Sequence, residues 1–514
     1  MIKLLDLLRE CELLDVNVHQ LEDNPEISGV AGCIQDVAPG ALFVADFSEC
    51  TDMTQVTRFL EGAEYLQEAI DMGAAALIVR PDCQKHVQAL ISAAHIPVIE
   101  HTSPLSILGP LAAVYTAFEK PQYRGAVTGT NGKTSSVNFA SQLCHLLGVK
   151  SSSIGTLGIL DGKGQHLEEI TSGLSIPETV RFQKILKKLK NDGVQAVFTE
   201  APSHGLHQYR LNGLSPQVGA FTNFMEDHLD LHGTMESYFN TKMRLFTQTM
   251  HTPGTTILNA DMDTEYFDRA KQICLSMGHK VVEFGYKGQD LTITDVENKQ
   301  NLLTAHFTWD GVDYSFKVPL IGYYNIHNVF TGLLMVDSLL DVERPKLIAA
   351  LNKLKPVQGR MEQVARHPNG GNIYIDFAHN ADGMQNMLKS LKEAGFSNVS
   401  VVFGCNGGRH PDIAPSLGIA STWADKVIIT DALPMGDDPD FIRKQLVVAA
   451  KKSHKNVCEI PCRYEAIKHA ISTIESNETL IICGLVIKKW PVGGQGGELI
   501  DDYAAIKRIL NTEE

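Results

Sequence analysis

The sequence predicts an α/β protein of three domains, and three observations predict it. The chain has 514 residues, enough for about three domains of roughly 150 residues each. Short apolar runs alternate with helix-like segments along most of its length, the pattern of sheets with crossover helices. A glycine-rich turn, "VTGTNGKTSS", joins an apolar step to a helical stretch, which is how a phosphate-binding strand–turn–helix unit reads. The expected layout is a small N-terminal α/β domain over 1–105, a central P-loop-type ATPase domain with a mostly parallel sheet over 106–355, and a C-terminal Rossmann-like domain over 356–514.

In chain order, "ALFVA" (41–45), "AALIV" (75–79) and "IPVIE" (96–100) are strand candidates, separated by helical text such as "RFLEGAEYLQEAIDMG". The two prolines of "HTSPLSILGP" mark a boundary. The strand before the glycine turn starts the second unit. "GVQAVFTE" (193–200) and "QVGAFTNF" (217–224) follow, interleaved with helices such as "ETVRFQKILKKLKN". Around 280–320 the texture turns to β-rich alternation, "LTITDVE" and "HFTWDGVDYSFKV", read as antiparallel strands added to the sheet. The third unit begins near Pro356. Its strands are "NIYIDFAH", "NVSVVFGC", "ADKVIITDA" and "ETLIICG", in doubly wound spacing.

Composition narrows the function. A formal net charge of −15 disfavours nucleic acid or an anionic membrane as partner. Ten scattered cysteines, with no C-x-x-C pair, read as reduced thiols and not as a zinc site. The charged N-terminus is no signal peptide, and no apolar run is long enough to span a bilayer. The expected setting is the cytoplasm, with small-molecule partners and a monomeric chain.

The turn itself is a phosphate cradle. Glycines let backbone N–H groups approach an anion, and the following helix N-terminus adds positive potential. Lys133 reaches the β/γ-phosphates and Thr134 holds Mg²⁺ in such a unit. The strict G-x-x-x-x-G-K-[ST] pattern is not met, because Val127 stands at the first glycine position. Glu200 ends a strand, where a parallel sheet faces its ligand crevice. The next segment, "FTNFMEDHLDLHGTMESYFNTKMRLF", supplies Asp227, His228 and Lys242.

With these stretches, "IGYYNIHNVF", "GRME" and "IDFAHNADGM" occur in the order and spacing of the Mur ligases, and the chain most resembles the MurE type. The resemblance spans nearly the whole chain. It implies an ATP-dependent carboxylate–amine ligase of peptidoglycan biosynthesis in the cell wall pathway. The γ-phosphoryl group goes to a carboxylate, and an amine attacks the acyl phosphate. It implies Gly129, Thr130, Asn131, Gly132, Lys133 and Thr134 around the triphosphate. Asn325 and Asn328 fall at the adenine-contact position, and Arg360 and Asp376 reach the nucleotide from the third domain. It implies Thr134 at a first Mg²⁺, Glu200 and His228 at a second Mg²⁺, a carbamylated Lys242, and Lys133, Glu200, His228 and Lys242 as the catalytic group. Ser175, Gln208, Arg210, His379 and Met435 fall at substrate-binding positions.

The departures gather at the substrate ends. Cys33-Ile34-Gln35 replaces the family's Asp-Ser-Arg, Ser175-Ile176 replaces paired threonines, and Pro202-Ser203 replaces a serine pair. Ala432-Leu433-Pro434-Met435 stands in place of Asp-Asn-Pro-Arg, and methionine cannot make the arginine's bidentate pair with a distal carboxylate. "CGLVIKK" (483–489) stands in place of Gly-Lys-Gly-His-Glu. Two other readings stay open: a MurE-like amide ligase of specialised metabolism with a non-muropeptide substrate, and a non-catalytic nucleotide-binding partner. A folylpolyglutamate-synthetase-like ligase fits the fold but not the "DHLDLHGTMESY" wording or the N-terminal domain.

Overall fold

The structure is a computed structural model. It describes all residues except 14–16, 20–23, 47–61, 82–84, 118, 169–174, 409–411, 455, 487, 493–496 and 511–514. The start of the "RFLEGAEYLQEAIDMG" helix lies outside the described residues, and the rest is the helix Gly62–Asp71.

The first unit carries a five-stranded sheet. The parallel strands Gly29–Ala31, Ala41–Val44, Ala76–Val79 and Val98–Glu100 lie side by side, and Asn17–His19 pairs antiparallel at the edge. Strands such as "ALIV" are buried at every position, so they read as continuous apolar runs. The proline-bearing segment is not a linker. Pro104 and Pro110 both sit on the helix Pro104–Thr116, the first at its permitted N-terminal turn. Ile107, Leu108, Leu111 and Ala112 pack into the first core. The helix also meets the second unit, where Asn212 Nδ2 donates to the Ser106 carbonyl at 2.8 Å.

The second unit is built on an eleven-stranded sheet. Its parallel centre runs, in spatial order, Ser151–Gly155, Ala196–Glu200, Tyr123–Thr128, Val218–Phe221, Thr255–Asn259 and Lys280–Gly285. Leu291–Lys299, Leu302–Trp309 and Val312–Val318 extend it as an antiparallel meander, as the alternation at 280–320 indicates. The helices Lys133–Leu146 and Tyr324–Leu339 cover one face, and their apolar sides join the largest core cluster.

The third unit carries a six-stranded sheet in the order Glu362–Arg366, Asn372–Asp376, Glu478–Cys483, Asn398–Phe403, Lys426–Ile429, Val457–Glu459, parallel except for the first pair. The C-terminal helix Asp502–Ile509 is riveted to it. Asp502 is fully buried and takes hydrogen bonds from Arg463 Nε (2.8 Å) and Nη2 (2.7 Å), Trp490 Nε1 (3.1 Å) and the Val486 amide (3.1 Å). No helix among the described residues is long and apolar enough to cross a membrane.

Candidate active site

The strand Tyr123–Thr128 delivers the chain to the turn, and Lys133 opens the next helix. Two glycines make the turn feasible. Gly129 (φ 143°) and Gly132 (φ 87°) hold backbone conformations that side chains resist. A Cβ on Gly129 would lie 1.9 Å from Thr222 Oγ1, and one on Gly132 would lie 2.3 Å from Asn328 Oδ1. Neighbouring loops fix the turn's outer side. The Asn131 amide donates to Asn223 Oδ1 (2.8 Å), and Thr222 Oγ1 donates to the Asn131 carbonyl (2.6 Å). Lys133 Nζ folds over the turn and donates to the carbonyls of Gly129 (2.9 Å) and Thr130 (2.8 Å).

Thr134 Oγ1 donates to Glu200 Oε1 at 2.8 Å. Both are buried, and both offer hard oxygen donors, the chemistry that suits Mg²⁺. The Thr156 amide (2.7 Å) and hydroxyl (3.2 Å) hold the same carboxylate, and the Thr156 hydroxyl also meets Ser175 Oγ at 3.0 Å. Gly155 leaves the room, since a Cβ there would lie 2.1 Å from Glu200 Oε1. His228 sits in left-handed backbone (φ 55°), and its Nε2 lies 3.7 Å from Asp227 Oδ2.

Lys242 comes from the helix Met235–Arg244 and is almost wholly buried. Its Nζ donates to the Gly129 carbonyl (2.8 Å) and lies 4.3 Å from the centre of the Tyr238 ring. Burial, reinforced by the nearby Lys133 charge, drives its pKa well below the ordinary lysine value. Lys133 is lowered too, first by burial, with Glu200 and Asp227 opposing. Glu200, Lys133, Asp227 and Lys242 therefore act on one another within one buried centre at the turn.

The third unit closes over this centre. Arg360 Nη2 donates to Thr134 Oγ1 at 2.9 Å. Asn131 Nδ2 donates to Asp382 (3.3 Å), and Asn380 Nδ2 donates to Asp227 (3.2 Å). Asp376 is buried, takes the amides of Met361 and Ala378 (both 2.8 Å), and has its pKa raised by burial against the pull of Arg360. Asn325 and Asn328 stand together on the helix Tyr324–Leu339 at 3.2 Å, with Asn328 beneath Gly132.

The substrate-position residues divide. Arg210 is buried, donates to the Ile176 carbonyl (3.3 Å) and pairs with Gln208. Ser175 joins the Glu200 network through Thr156. His379 holds the Phe377 carbonyl (2.9 Å) and lines a small recess with Gly404, Cys405, Asn406, Gly484 and Leu485. Met435 lies apart, 53% exposed on a left-handed turn. Sequence reasoning missed Thr156, Thr222, Asn223 and the third-unit partners Asn380 and Asp382. Asn380 and Asp382 lie inside "IDFAHNADGM", and Asn380's N-cap position before a helix was the available signal.

Two family descriptions match: the Mur ligase middle domain over residues 127–336 and the Mur ligase glutamate ligase domain over 359–485. The chain is 34% identical over 490 residues to the UDP-N-acetylmuramoyl-L-alanyl-D-glutamate–2,6-diaminopimelate ligase of Chelativorans sp., covering 94% of this chain and 95% of that one. The namesake enzyme of Zymomonas mobilis is 34% identical, with 88% and 90% covered. A solved structure of such a ligase superposes with TM-score 0.67 at 23% identity, covering 98% of each chain. Folylpolyglutamate synthase of Mycobacterium tuberculosis shares the fold more loosely, with TM-score 0.61, 15% identity and 80% of this chain covered against 94% of that one. The motif order, the three-unit architecture and these likenesses agree: the chain belongs to the Mur ligase family, in its MurE type, and is an ATP-dependent amide-bond-forming ligase.

Proposed function

We propose that this protein phosphorylates a substrate carboxylate with Mg²⁺·ATP at the 128–134 turn and joins it to an amine, with a UDP-muramoyl dipeptide as the carboxylate substrate. The observation that carries the reading is the single buried centre made by Lys133, Thr134, Glu200 and Lys242, with Arg360 reaching it from the third unit.

Thr134 and Glu200 would hold Mg²⁺, with His228 the further ligand that the family resemblance implies, and the ion would supply charge neutralisation between the phosphates and the incoming carboxylate. The chain's own groups do the rest. Backbone amides of 129–134 and the helix N-terminus orient the triphosphate, and Lys133 turns from the turn's carbonyls to the phosphate oxygens. Burial lowers the Lys242 pKa, which favours the neutral amine that CO₂ requires, and as a carbamate the group would become an anion among cations. Asn325 and Asn328 flank the base, and Asp376 fixes the Arg360 loop. Burial of the centre keeps water from the acyl phosphate. The protein acts as a monomer in the cytoplasm.

The acceptor end supports an amine other than diaminopimelate. Met435 offers no charge, and Leu485 and Val486 are packed into the chain's own core. An unpaired carboxylate in a closed site costs ~1–3 kcal/mol or more. The test is phosphate release with UDP-muramoyl dipeptide plus diaminopimelate, and then plus lysine, against Lys133→Ala. We expect Lys133-dependent turnover that is weaker with diaminopimelate. Brisk tripeptide formation with diaminopimelate overturns the acceptor reading. ATP binding without turnover on any carboxylate–amine pair overturns the ligase reading in favour of a nucleotide-binding partner.

A further inference from the structure

Arg360 stands on the short connection between the helix Arg344–Leu351 and the strand Glu362–Arg366. Its backbone is pinned on both sides, by Gly359 N to Glu362 Oε2 (2.7 Å) and by Met361 N to Asp376 Oδ2 (2.8 Å). Its guanidinium lies 4.5 Å from the Phe377 ring, and its Nε is buried without a hydrogen-bond partner. The outer nitrogen Nη2 reaches Thr134 Oγ1. That oxygen already gives its proton to Glu200. The guanidinium thus takes a lone pair of the hydroxyl that, with Glu200, offers the hard oxygen pair of the centre.

We infer that Arg360 is an internal competitor for the cation position: its guanidinium and a divalent cation exclude each other at Thr134 and Glu200. The inference rests on the assignment of Thr134 and Glu200 to the metal. Two cations on one hydroxyl would stand only a few ångströms apart in a buried setting, where their repulsion is large. Anionic phosphate in the turn gives Arg360 another partner and leaves Thr134 to the metal. The consequence is an order of binding, in which metal enters with nucleotide and not before it. The orphaned Nε fits a side chain that has a second arrangement, since a buried N–H with no partner is costly.

The experiment follows Mn²⁺ binding by electron paramagnetic resonance to nucleotide-free protein. We expect Arg360→Gln to bind Mn²⁺ about tenfold more tightly than wild type or better, because one like charge has been removed beside the site. Arg360→Lys, which keeps a charge but loses the fork, is expected to fall between and serves if the glutamine variant does not fold. Glu200→Gln placed in the Arg360→Gln background is expected to remove the gained site. Equal or weaker Mn²⁺ binding in the folded Arg360 variant, with Glu200 still required, overturns the competition alone. Mn²⁺ binding that ignores Glu200→Gln overturns the metal assignment and the competition with it.

Discussion

The nucleotide end and the acceptor end of the active cleft are built differently. At the nucleotide end Thr134, Glu200 and Lys242 are all at most 5% exposed, and each is held by protein atoms on more than one element. At the acceptor end Met435 is 53% exposed on a turn, while Leu485 and Val486 pack into a core of the third unit. The first end is over-determined, because a phosphate cradle needs particular backbone angles and a buried charge needs particular partners. At the second end the exposed position 435 can change its side chain without disturbing the fold. One catalytic frame can therefore accept rewritten specificity.

The comparison breaks most visibly at Lys133. Lys133→Ala is expected to cut phosphate release about 10²–10³-fold or more, as loss of a charge-stabilising donor does. A change of only a few fold would show that the cradle's charge is supplied elsewhere.

Lys242→Met should abolish the CO₂-dependent part of the activity while raising thermal stability. The sign follows from its lowered pKa: the folded protein holds fewer protons at this site than the unfolded chain. The stability cost of Lys242 is therefore greatest at low pH and fades as pH rises towards the ordinary lysine value. Melting curves of the two proteins should converge with rising pH, and parallel curves would contradict the burial argument.

Gly132→Ala should cost about 1–3 kcal/mol, from the φ of 87° and the approach to Asn328 Oδ1. Denaturant titration measures it, and Asn328→Ala in the same chain should recover the steric part only. The smallest effect belongs to Met435→Arg, which should shift stability by no more than about 0.5 kcal/mol, as surface changes do. Its use is to sharpen the acceptor end, since turnover with diaminopimelate should rise. An unaltered acceptor preference would move specificity away from position 435.

The regular parts of the fold were legible because their pattern is local. Continuous apolar runs such as "ALIV" and "AVFTE" gave buried parallel strands, and the 280–320 alternation gave the meander. The glycine turn was legible despite Val127, because Gly129 and Gly132 meet steric demands that appear in the text as glycine. The helix Pro104–Thr116 was not legible as a helix. Its prolines suggested a break, whereas tertiary packing of Ile107, Leu108 and Leu111 decided the matter. Contacts between units were also beyond pattern. Asn131 to Asp382 and Arg360 to Thr134 depend on how two separately folded bodies dock, and no periodicity encodes that.

The Arg463–Asp502 pair sets a limit on how the chain can be handled. Asp502 lies near the end of the sequence, yet it neutralises the guanidinium of Arg463, which opens the helix Arg463–Ser472 and reaches the carbonyl of Cys483 at the end of a central strand. Trimming the tail past that point would strand a buried positive charge, a loss of roughly 3–5 kcal/mol for a broken buried pair. The helix Asp502–Ile509 is thus a keystone of the third unit, and a truncation that removes it costs the buried pair.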